Sequence, residues 1–157
     1  MRDCRWEDVL WSVDSAVRHL RAACELFEAG RLTGRDRNAY RDVMALMHAM
    51  QSGYTSLENA LLRAMDVLGE DRPSGPDWHK LVVDRSTRAI PGLRPAILSS
   101  EEATLAREVR KFRHWAMHAY DQDFEPRRAA DAMDGARQLA EQLRPAFQAF
   151  IAAIDPE

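Results

Sequence analysis

Apolar residues recur along this chain at alternating steps of three and four, the spacing that gathers one face of an α-helix. Trp6, Leu10, Val13, Val17, Leu20, Cys24 and Phe27 form the first seam, and Gly30 follows as its C-cap. A second seam runs through Tyr40, Val43, Met47, Met50, Tyr54, Leu57, Leu61, Ala64 and Leu68. It predicts a helix ~45 Å long, closed by Gly69. Residues 70–100 break the pattern with Pro73, Gly75, Pro76, Pro91, Gly92 and Pro95. They leave room for one short helix over residues 77–87, with Trp78, Val82 and Ile97 as anchors. Ser99-Ser100-Glu101-Glu102 reads as a capping box opening a helix on Leu105, Val109, Phe112, Ala116 and Ala119. Pro126 suits the first position of a last helix seamed by Met133, Ala136, Ala140, Leu143, Phe147, Phe150 and Ile154. Pro145 inside it removes a backbone hydrogen bond and predicts a kink. With no strand-type alternation, the expected fold is all-α: an up-and-down four-helix bundle with a short helix inserted between the second and third long helices. The 157 residues suit a single domain.

Composition narrows the classes. At 46% hydrophobic, 30% charged and net charge −3 the chain is globular rather than disordered. Its longest nearly apolar stretch, residues 149–154, falls far short of the ~20 residues a membrane span needs. The N-terminus carries no apolar signal segment, so the expected location is cytoplasmic. Cys4 and Cys24 have no metal or redox spacing and read as free thiols, Cys24 being inert on its seam. Met44, Met47 and Met50 read as core filler. The acidic balance argues against a non-specific nucleic-acid coat and leaves a local basic patch open.

No Walker lysine loop, GxGxxG, GxSxG or HExxH occurs. Titratable and anion-binding groups concentrate in residues 107–120, with Arg107, Arg110, Lys111, Arg113, His114, His118 and Tyr120. An arginine followed by a histidine after four to six residues is common here, occurring also at Arg41 with His48, Arg72 with His79 and Arg107 with His114. Arg113-x4-His118-x-Tyr120 differs in context: His114 follows the arginine, the tyrosine sits at the right offset, and the set closes the penultimate long helix. It resembles the R-x4-H-x-Y signature of HepT-like proteins, in the HEPN superfamily of small all-helical ribonucleases. Tyr54-Thr55-Ser56-Leu57-Glu58-Asn59, Gly75-Pro76-Asp77-Trp78-His79 and Arg94-Pro95-Ala96-Ile97-Leu98 are similar to landmarks of a subgroup with this longer insert. The resemblance implies a metal-independent endoribonuclease, often a toxin, acting as a homodimer with both motifs lining one cleft. The implied partner is a minimal nucleotidyltransferase antitoxin that adds AMP to the motif tyrosine, here Tyr120. No cofactor is expected.

The chemistry of the side chains agrees with that implication. Cleavage of RNA through its own 2′-OH needs a proton acceptor, stabilisation of the phosphorane and a proton donor to the leaving oxygen. Histidine suits either transfer near neutrality and the arginine fork suits the phosphate. His118 is therefore the candidate acid/base, Arg113 the clamp and His114 an orienting group, with Arg107, Arg110 and Lys111 candidates for RNA binding. Geometry sets a condition: five residues on a straight helix separate Arg113 from His118 by ~140°. Either the helix ends near Met117 or the two converge across a dimer.

Blander readings stand beside these. The cations can be a solvated helix face, with Glu108 lacking an evident partner, and Trp78-His79 can be packing for the insert. A catalytically inactive HEPN partner of a nucleotidyltransferase is the alternative function. A metal site built on His114 and His118, with Asp121, Asp123 or His48, is a third reading.

Overall fold

The computed structural model describes residues 3–118 and 124–157, with backbone alone at 116–118. Its helices are α1 (Arg5–Glu28), α2 (Arg37–Val67), α3 (Trp78–Ser86), α4 (Ser100–His118) and α5 (Pro126–Ile154). Among the described residues there is no strand, only an isolated antiparallel bridge between Ile90 and Arg94. The fold is all-α. Helix α1 packs along α2 and α5, α4 packs against α5 and α2, and α3 rests on α2 and α4.

The seams become the core except at Tyr40, which begins the α2 seam and is 68% exposed where α2 starts. Trp6, Val13, Leu20, Met50, Tyr54, Leu57, Leu61, Leu139 and Phe147 are all buried. Trp6 meets Phe150 edge to face at 6.0 Å, and the Asp3 amide donates to Asp155 at 2.8 Å, tying the two ends of the chain together. Gly53 lets α1 and α2 approach closely, since a Cβ there would stand 2.9 Å from Leu20 Cδ2. Of the methionines, Met50 is buried and Met47 partly so, whereas Met44 faces solvent, contrary to its reading as core filler. Cys24 is buried as expected, and burial pushes its thiol pKa up, away from reactivity.

Helix ends follow the local chemistry. The Asp36 side chain accepts from the Ala39 amide at 2.8 Å and starts α2. Gly69, at φ +70°, ends it in a Schellman arrangement: Glu70 N–H donates to Met65 at 2.9 Å and Gly69 N–H to Asp66 at 3.1 Å. The capping box forms as read, with Glu102 N–H donating to Ser99 Oγ at 3.1 Å and Ser99 N–H to Glu102 Oε2 at 2.8 Å. Pro126 occupies the first turn of α5, and the helix continues past Pro145 to Ile154.

That Schellman turn delivers Glu70 into the insert, where Arg94 waits. The Arg94 side chain is 0% exposed and that of Glu70 3%. Arg94 donates Nε to Oε2 at 2.7 Å and Nη2 to Oε1 at 3.0 Å, the bidentate geometry that suits guanidinium and carboxylate. Its remaining donors reach the carbonyls of Arg88 at 2.8 Å, Pro95 at 3.1 Å and Arg85 at 3.2 Å. With Val82, Val83, Ile97 and Leu98 buried beneath, residues 70–98 are packed rather than loose. Trp78 is partly buried against the same core.

Candidate functional site

Helix α4 divides its residues between two faces. Ala103, Ala106, Val109 and Phe112 are buried and Arg107, Lys111 and His114 are exposed on the outer side, while Arg110 and Arg113, in helical register with Ala103 and Ala106, are half-buried on the packed side. Close packing of α5 is possible because Gly135 lies opposite Glu108, where a Cβ would stand 3.4 Å from the Glu108 Cβ.

The cations of α4 have different surroundings. Arg107 donates Nη2 to Asp84 Oδ1 of α3 at 2.8 Å. Lys111 donates to Glu108 Oε1 at 2.9 Å, so Glu108 has the i+3 partner its sequence context did not suggest. Arg110 and Arg113 are half-buried, and among the described residues neither makes a hydrogen bond or an ion pair. Both lie near the buried Tyr54 of α2, whose hydroxyl has no hydrogen-bond partner among the described residues. Desolvation raises the Tyr54 pKa well above the usual tyrosine range and Glu58 adds to this, while Arg110, Arg113 and Arg107 oppose it. His114 is exposed. Helix α4 is described as far as His118, one residue past Met117. The His118 side chain, Tyr120, Asp121 and Asp123 lie outside the described residues.

One pair at this site was not anticipated. Glu58, 4% exposed, places Oε2 2.6 Å from His79 Nδ1. A carboxylate oxygen accepts, so Nδ1–H is the donor in this contact. The His79 ring stacks on Trp78 with centroids 3.6 Å apart and planes 29° apart. The available signal was Glu58 itself, a charged residue four positions after Tyr54 on the apolar side of α2.

For metal binding, among the described residues no three His, Cys, Asp or Glu side chains gather as ligands. His48 instead meets His19 edge to face at 6.3 Å and lies 3.3 Å from Ser52 Oγ. Among the described residues no helix is long and apolar enough to cross a membrane.

No curated protein and no solved structure matches the chain. The sequence profile described as HepT-like protein does match, over residues 45–154, a span that takes in Tyr54, Glu58, His79 and all of α4. On that match, covering more than two thirds of its length, the chain belongs to the HepT-like family of the HEPN superfamily.

Proposed function

We propose that the protein is a metal-independent endoribonuclease, the toxin of a toxin–antitoxin pair, acting in the cytoplasm as a homodimer of up-and-down four-helix bundles. The observation that carries this reading is the state of Arg110 and Arg113. A guanidinium half withdrawn from water without a carboxylate forgoes charge-assisted hydrogen bonds that a phosphate supplies in bidentate form. Two such groups side by side on one helix suit a phosphodiester.

In the proposed reaction a histidine takes the 2′-OH proton and the oxygen bonds to phosphorus. The P–O5′ bond breaks and its oxygen takes a proton from a protonated imidazole, leaving a 2′,3′-cyclic phosphate and a 5′-OH. His118 carries the acid/base role, Arg113 holds the phosphorane and His114 orients them. Arg107, Arg110 and Lys111 hold the flanking RNA. The helical course of α4 through position 118 supports the homodimer, because positions 113 and 118 stand ~140° apart on one helix and one protomer does not bring them to a common face. A minimal nucleotidyltransferase is the proposed antitoxin, with Tyr120 the AMP acceptor.

A second reading, a catalytically inactive partner of the nucleotidyltransferase, is favoured by Arg107 and Lys111, which are already tied to Asp84 and Glu108. RNA cleavage in excess EDTA, comparing the parent with His118→Ala and scoring cyclic phosphate ends, separates the two. Cleavage by the parent and its loss in the variant is the expected result; no cleavage by either folded protein favours the inactive partner.

A further inference from the structure

We propose that Trp78 and His79 form a base-stacking platform for single-stranded RNA, beside the cations of α4. The inference rests on the ribonuclease reading and extends its site onto α3. Three features support it. The two rings are stacked at 3.6 Å and His79 keeps 34% of its side chain exposed, so part of a stacked aromatic pair reaches solvent. The buried Glu58 carboxylate fixes the imidazole orientation at Nδ1, which removes rotamer freedom before any base arrives. The Asp84–Arg107 contact at 2.8 Å fastens α3 to α4, and the same Glu58 that holds His79 acts on Tyr54 together with Arg107, Arg110 and Arg113. An aromatic face next to guanidinium groups is the arrangement that takes an unpaired base and its phosphate together.

The probe is a labelled uridine-rich oligoribonucleotide, titrated by anisotropy against the full chain in the His118→Ala background so that the RNA stays intact. Trp78→Ala is expected to weaken binding about tenfold with an unchanged salt slope, since stacking releases no counterions. Arg110→Gln is expected to weaken binding and lower the slope by about one. Two further variants separate stacking from damage to the fold. Trp78→Phe keeps a ring, and Glu58→Leu with His79→Phe keeps the platform while removing both buried polar partners; each is expected to bind within about threefold of the parent. Unchanged affinity in Trp78→Ala, with Arg110→Gln still weakened, overturns the platform and leaves the RNA reading standing. Loss in the ring-retaining variants, with native circular dichroism, also overturns it. Absence of RNA binding by the parent removes both readings.

Discussion

Arg94 and Arg113 belong to the same short stretch of sequence and live in opposite circumstances. Arg94 is fully buried and its donors are spent on Glu70 and three carbonyls of its own segment, so nothing is left for a ligand. Arg113, like Arg110, is half-buried beside Tyr54, and among the described residues it makes no hydrogen bond or ion pair. The first arrangement holds the fold together, and the second leaves a guanidinium without a carboxylate partner among the described residues, at a modest solvation cost. An arginine's role is thus read from what its five donors touch, and burial alone does not reveal it.

The largest effect is expected where that saturation is broken. Arg94→Met leaves a buried carboxylate facing only Arg85, and should lower unfolding free energy by about 3–5 kcal/mol in urea titrations. Combining it with Glu70→Leu should recover most of the loss, because both charges then leave together. A full-sized defect in the double variant would show that Arg94 acts through the carbonyls instead. At Arg113 the expectation reverses: Arg113→Gln should change stability by no more than about 0.5 kcal/mol while cleavage falls about 100-fold. A large loss of stability there would erase the contrast.

Smaller effects sharpen it. Arg107→Gln removes an exposed contact and should shift stability by less than about 1 kcal/mol. Tyr54→Phe removes a hydroxyl with no partner among the described residues, so stability at neutral pH should hold or rise by up to about 1 kcal/mol. Its pH dependence has a definite sign. Burial, then Glu58, raises the Tyr54 pKa in the folded protein, so only the unfolded chain ionises as pH passes about 10. Parent stability should therefore fall above that pH more steeply than that of Tyr54→Phe. Parallel alkaline curves would contradict the burial of the hydroxyl.

What sequence made legible here is local. The seams of α1, α2 and α5, the Ser99–Glu102 box and the closing Gly69 each depend on residues within a few positions, where chain geometry alone sets who meets whom. Glu58 with His79, 21 positions apart, and Glu70 with Arg94, 24 apart, depend on how the insert folds back over α2, which no spacing encodes. Met44 failed for a related reason: it lies beside the seam of α2, and its exposure depends on where neighbouring helices stop covering it. At the candidate site the cation row was legible as composition. Which of its members are tied to acids, and which have no such partner among the described residues, was not.

The Glu70–Arg94 contact has a consequence for where the insert stays folded. It closes a loop of 24 positions between the end of α2 and the approach to α4, as a cystine would. A covalent bridge over such a loop contributes on the order of 3 kcal/mol, close to what losing one member of a buried ion pair costs. Both cysteines of the chain are free and neither takes part. The staple is therefore electrostatic, indifferent to glutathione or thioredoxin, and it opens only to agents that hydrate its charges or protonate its acid.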